Sequence, residues 1–126
     1  MRLLIDTHVF LLCIKDDRRL SKAVRTRIQN ATEVYVSSAS IWEIVIKVKL
    51  KKLDVDLERV VDSIAESEFT ELPITARHAA AVSRLPDLHR DPFDRILIAQ
   101  AISEPLTFLT ADAELKKYSD LVEFIG

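Results

Sequence analysis

The side chains best suited to chemistry are four carboxylates, Asp6, Glu43, Asp94 and Asp112. Asp6 directly follows the apolar run at 2–5, and Asp112 follows the run at 106–110. Glu43 lies in the opening turns of a helix after Val34-Tyr35-Val36, and Asp94 in the first turn of a helix opened by Asp91-Pro92. Carboxylates brought together repel, and unless something neutralises them some take up protons. Hard oxygen donors with no matching Cys or His set suit Mg²⁺ or Mn²⁺. Such an ion delivers a hydroxide-like nucleophile and stabilises a phosphorane-like transition state, so phosphodiester hydrolysis is the matching reaction. His8, His78 and His89 lack the spacing of a zinc site and read as single structural histidines.

Each acid also has a plainer use. Asp6 suits a turn after a strand, and Asp112 suits a cap on the helix that follows it. Ser40 and Glu43 fit the S-x-x-E capping box, while Glu43 can instead pair with Lys47 one turn on. Asp91 before Pro92 reads as a helix N-cap, because proline is tolerated at the first helical position. Any one of these uses is common; all four acids meeting at one edge by accident is much less so.

The elements that would bring them there are short strands alternating with helices. Strands are expected at 2–5, 34–36, 69–74, 106–110 and 121–125. Helices are expected at 9–14, from a Ser21 cap to 31, from Ser40 towards 50, from Asp54 or Asp56 to about 66, from a Thr75 cap to about 84, at 92–101, and briefly at 114–118. From Ile96 to Ala101 only Gln100 is polar, so that helix must be largely buried. The alternation predicts an α/β fold with a mainly parallel sheet of four to five short strands. In such sheets the loops after the strands' carboxyl ends gather on one edge, and ligands bind there.

Composition narrows the classes. The 126 residues read as a single domain spanning 1–126, with 48% hydrophobic and 30% charged residues typical of a globular chain. The single Cys13 allows no internal disulfide. The start is a poor signal peptide and too short to span a bilayer, so a cytoplasmic protein with no membrane partner is expected. A net charge of −2 argues against a large non-specific DNA-binding surface, though an acidic metal site itself subtracts charge. Basic residues cluster at 15–27 and at Lys47, Lys49, Lys51 and Lys52, which by default are solvated helix faces. The one glycine, Gly126, rules out glycine-rich phosphate loops and the nucleotide enzymes built on them.

Four segments taken together resemble PIN-domain proteins of the VapC toxin type. They are Asp6-Thr7-His8, Ser40-Ile41-Trp42-Glu43-Ile44, Leu109-Thr110-Ala111-Asp112, and the block Leu85-Pro86-x-x-His89-Arg90-Asp91-Pro92-Phe93-Asp94-Arg95-x-Leu97-Ile98-Ala99-Gln100-Ala101. The last is highly specific, and the order and spacing run like the family's from first strand to last. The resemblance implies a compact three-layer α/β/α sandwich and Mg²⁺- or Mn²⁺-dependent endoribonuclease activity on an RNA substrate. It also implies neutralisation by a cognate VapB-type antitoxin, as in a type II toxin–antitoxin pair, and homodimerisation.

Carried over by position, Asp6, Glu43, Asp94 and Asp112 fall on the family's acidic metal-binding positions. Asp91 matches a recurrent aspartate, assigned to capping first and metal binding second, and Thr110 matches a supporting hydroxyl. Thr7, beside Asp6, and Arg95, beside Asp94, are further supporting candidates, with Arg95 an ion-pair partner or phosphate contact. Two departures concern helix ends and packing: the glycine common near Lys51 and the aromatic common near Leu12 are absent. The competing expectation is a non-catalytic PIN-like binding or scaffold module. A phosphoacceptor receiver domain fits less well, because neither Ile5-Asp6-Thr7 nor Val36-Ser37-Ser38 supplies its acids. Antitoxin contacts are expected on apolar surface around Trp42, Ile46 and Leu50.

Overall fold

The computed structural model describes residues 1–88 and 91–125. His89, Arg90 and Gly126 lie outside the described residues. In chain order the elements are β1 (Arg2–Ile5), α1 (Thr7–Ile14), α2 (Lys22–Gln29), β2 (Glu33–Ser37), α3 (Ser38–Lys49), α4 (Leu57–Glu66) and β3 (Thr70–Leu72). There follow α5 (Ala76–Ala81) with a 3₁₀ turn at Val82–Arg84, α6 (Pro92–Ser103), β4 (Thr107–Thr110), a 3₁₀ helix at Ala113–Tyr118, and β5 (Val122–Phe124).

The strands form one sheet in the order β3-β2-β1-β4-β5, every pairing parallel. Successive strand residues face opposite sides, so Leu3 and Ile5 enter one apolar layer and Leu4 the other. The first layer joins them to Val9 and Phe10 of α1, Ile44 of α3, and Val60 and Ile64 of α4. The second joins Leu4 to Leu97, Ile98 and Ala101 of α6, with Phe108, Leu115 and Val122. Helices thus cover both faces, which is why Leu3-Leu4-Ile5 has no polar alternation at all. Phe10 and Phe108 are fully buried, each contributing about 1.5–3 kcal/mol by leaving water.

Gln100 is the polar exception inside α6. Its Nε2 reaches the carbonyls of Leu72 and Pro73 at 3.4 Å each, tying α6 to the end of β3. Among the described residues no helix is long and apolar enough to cross a membrane. Because β1 has β2 on one side and β4 on the other, the chain reverses its direction of travel across the sheet at β1. The crevice such a reversal opens lies just beyond the carboxyl end of that strand.

Candidate active site

Asp6 is the first residue past β1, at the mouth of that crevice. It is the N-cap of α1, with Oδ1 accepting from the Val9 amide at 2.7 Å. Its Oδ2 accepts from the Thr110 hydroxyl at 2.6 Å and from the Ala111 amide at 3.1 Å. The side chain is buried, and loss of hydration pushes its proton affinity above the ordinary carboxylate range. The three donors and the nearby His8 pull the other way without cancelling the burial.

Thr110 does two things with one hydroxyl. It donates to Asp6 and accepts from the Asp112 amide at 3.1 Å. The backbone of Asp112 is therefore fixed relative to the Asp6 carboxylate through a single fully buried side chain. Asp112 itself caps the 3₁₀ helix, accepting from the Glu114 amide at 3.0 Å.

On the other flank of β1, Thr7 Oγ1 donates to Glu43 Oε1 at 2.7 Å and shares a 2.9 Å bond with Ser40 Oγ. Glu43 Oε2 lies 3.2 Å from Lys47 Nζ. The capping box read at Ser40 and Glu43 is not formed. The cap of α3 is Ser37, whose side chain accepts from the Ala39 amide at 3.0 Å, and Ser40 is fully buried against Thr7. That frees Glu43 from the helix end and directs it to the crevice side of the helix.

Asp94 enters from α6. Asp91 caps that helix, Oδ1 accepting from the Phe93 amide at 2.8 Å and the Asp94 amide at 3.3 Å. Phe93 meets Trp42 of α3 edge-on, with ring centroids 5.4 Å apart and planes at 78°. This contact sets the mouth of α6 against the helix that carries Glu43. Arg95 turns the other way. It donates to the Pro86 carbonyl at 2.9 Å and the Val82 carbonyl at 3.4 Å, and it pairs with Asp87 at 3.6 Å.

The four acids thus come from four elements at the carboxyl edge of the sheet. Asp6 is joined to Asp112 through Thr110, and to Glu43 through its chain neighbour Thr7. The donors are all oxygen, and burial disfavours the charge on Asp6. In type and edge placement they suit a hard divalent ion. They are not drawn into one coordination shell: among the described residues no three His, Cys, Asp or Glu side chains stand close enough to hold a metal together. A cavity of about 540 Å³ lies at the amino ends of β2 and β3, and another of about 720 Å³ lies between α5 and the end of α6; neither contains any of the four.

Thr7 is the connection that local patterns do not signal, since it links residues 36 apart in the chain. The amide of Ala111 was likewise not legible, because any residue at that position supplies one.

Residues 3–121 match the family model described as PIN domain. The fold is similar to VapBC2 from Rickettsia felis, solved bound to a DNA fragment from its promoter, with a TM-score of 0.73 and 18% identity over 98% of each chain. It is similar also to FitAcB from Neisseria gonorrhoeae, with a TM-score of 0.70 and 20% identity over 98% of this chain and 96% of that one. VapBC from Salmonella typhimurium bound to DNA gives a TM-score of 0.70 at 15% identity, over 99% and 97% of the two chains. No curated protein sequence matches the chain.

Proposed function

The chain belongs to the PIN-domain family, and on that footing we propose that it is a divalent-metal-dependent endoribonuclease, the toxin of a type II toxin–antitoxin pair. The observation that carries the reading is the Thr110 hydroxyl, which holds Asp6 and Asp112 in fixed relation at the crevice beyond β1. Similar folds occur in toxin–antitoxin assemblies, the Klebsiella pneumoniae toxin–antitoxin complex among them, and this favours a protein antitoxin as partner. A homodimer is part of the same proposal.

Asp6, Glu43, Asp94 and Asp112 would hold Mg²⁺ or Mn²⁺, which when bound supplies an activated water and neutralises charge at the scissile phosphodiester. The chain's own contribution is placement. Thr110 and the Val9 and Ala111 amides leave Asp6 little rotational freedom, and Thr7 orients Glu43. Lys47 offsets the Glu43 charge until a cation takes over that task. Asp91 and Pro92 fix the first turn of α6, and with it Asp94.

The test is sequencing of RNA ends after induced expression of wild type beside Asp94→Asn, with circular dichroism confirming that the variant folds. Cleavage lost in the folded variant supports the reading, and unchanged cleavage overturns it. One observation favours a non-catalytic binding or scaffold module instead: the carboxylates do not share a coordination shell. Calorimetry showing no Mg²⁺ or Mn²⁺ binding would decide for that module.

A further inference from the structure

We propose that Trp42 is a stacking platform for a nucleobase of single-stranded RNA beside the scissile phosphate, and that Lys49 with Lys51 and Lys52 carries the trailing phosphates. The inference rests on the nuclease reading and names how the same edge takes its substrate.

Trp42 is 61% exposed in the middle of an otherwise packed element, two residues before the fully buried Ile44. An indole in that position is not part of the core. It is nonetheless held in place, because Phe93 meets it edge-on at 5.4 Å. Such a ring presents a large flat surface at little further cost in side-chain entropy. Its neighbours give it a purpose. Glu43 follows Trp42 and Asp94 follows Phe93, so the aromatic pair is flanked by two of the four acids.

Beyond the half-buried Val45 and Ile46 one turn on, the exposed surface of this helix is charged. Lys47 stands one turn from Glu43, and Lys49 lies seven residues on from Trp42, on the same helical face. Lys51 and Lys52 follow at the exposed end of the helix. Leu50, the other exposed apolar residue of this helix end, is eight residues away, roughly 12 Å along the axis. A protein-docking site calls for a contiguous apolar patch. An exposed aromatic leading into a run of cations is instead the pattern that binds a single strand, by stacking on any base and pairing with its backbone. In a chain of net charge −2, that run is also what offsets the repulsion between the acidic edge and a polyanion.

Trp42 is the chain's one tryptophan, so its emission reports on this surface alone. The experiment titrates wild type with an eight-nucleotide oligouridylate and with its abasic counterpart, in Ca²⁺, with gels confirming that the RNA stays intact. In parallel, cleavage kinetics are measured for Trp42→Ala, Trp42→Phe and Lys49→Ala/Lys52→Ala. The expected result is saturable quenching by the oligouridylate and several-fold less by the abasic chain. Trp42→Ala should raise KM ten-fold or more with kcat within two-fold, and Trp42→Phe should restore most of the loss. The lysine variant should bind both oligomers more weakly and show a shallower salt dependence.

Wild type that cleaves RNA while its emission stays unchanged at saturating oligouridylate would overturn the inference and leave the nuclease reading standing. An emission change with protein concentration alone would overturn it in favour of a second copy covering Trp42. Loss of antitoxin binding by Trp42→Ala with unchanged KM for RNA would overturn it in favour of a protein partner. Wild type that neither cuts nor binds RNA would end both readings together.

Discussion

The Thr110 hydroxyl lies 2.6 Å from Asp6 Oδ2, joining residues 104 apart in the sequence. The bond is buried and charge-assisted, and the same oxygen accepts from the Asp112 amide. Thr110→Val keeps the shape and deletes both functions. It should cost about 1–3 kcal/mol, because a buried carboxylate loses a donor and a backbone amide loses its acceptor. Mn²⁺ affinity and RNA cleavage should fall with it, and Thr110→Ser should recover most of both. Urea denaturation and calorimetry on the two variants check this; a Thr110→Val protein as stable as wild type would contradict it.

Asp91 accepts from two amides of the first turn of α6, and its capping role can be separated from any role at a metal. Asp91→Ala should destabilise the protein by about 1 kcal/mol and loosen Asp94, lowering cleavage. Asp91→Ser caps without a charge. If capping is the whole of its work, cleavage by Asp91→Ser should lie within a few-fold of wild type, measured on one RNA under single-turnover conditions.

Stability should respond to acid through Arg27 and Glu123. Arg27 donates to Glu123 through Nε at 3.0 Å and Nη2 at 2.6 Å, and this holds the carboxyl below its ordinary range. A depressed folded-state value means stability that is present at neutral pH and lost as pH falls through that value. Arg27→Gln should therefore lower stability by about 0.5 kcal/mol near neutrality, the size of a part-exposed pair screened by solvent, and by nothing measurable once Glu123 is protonated. Asp6 acts with the opposite sign. Burial raises its folded-state value, so its ionisation erodes stability as pH rises above the ordinary carboxylate range. Melting temperatures of wild type and Arg27→Gln across pH should converge on the acid side; parallel curves would refute the assignment.

The end of α3 stores a small strain. Lys51 has φ of +59°, where side chains other than glycine are crowded. The turn is a Schellman motif, with Lys52 N–H donating to the Lys47 carbonyl at 2.9 Å and Lys51 N–H to the Val48 carbonyl at 3.0 Å. Lys51→Gly should stabilise the protein by about 1 kcal/mol, read from urea melts, with Lys51→Ala giving no such gain.

Much of this architecture is legible from the chain because its signals are local. Asp91-Pro92 announces a helix start, and Leu3-Leu4-Ile5 with Leu106-Thr107-Phe108-Leu109 announces buried parallel strands. The misread ends have local causes too. The strand read at 69–74 stops at Leu72 because Pro73 offers no donor to a ladder. The helix read to Arg84 tightens into a 3₁₀ turn after Ala81, and Leu85, before Pro86, is extended with ψ of 142°. The choice of Ser37 over Ser40 as cap could not be read from spacing. Three serines compete at 37–40, and the contact that removes Ser40 comes from Thr7, far away in sequence. The short helix near 114–118 is 3₁₀, starting from Asp112 as its cap. In the site, the resemblance already names Thr7 and Thr110 beside the acids, but the bonds that run through their hydroxyls to Glu43, Asp6 and Asp112 needed the fold.

The place of β1 between β2 and β4 also sets when the edge comes into being during synthesis. Asp6 is made well before the Leu109 carbonyl that accepts its amide at 3.0 Å, and before the Thr110 hydroxyl 104 residues on. A ribosome that has released β1, β2 and their helices holds a half-sheet with one flank of β1 bare. Contacts this distant in sequence also form late, because the loop between them must close first. A chain that has not yet made Thr110 is therefore without an assembled acidic edge.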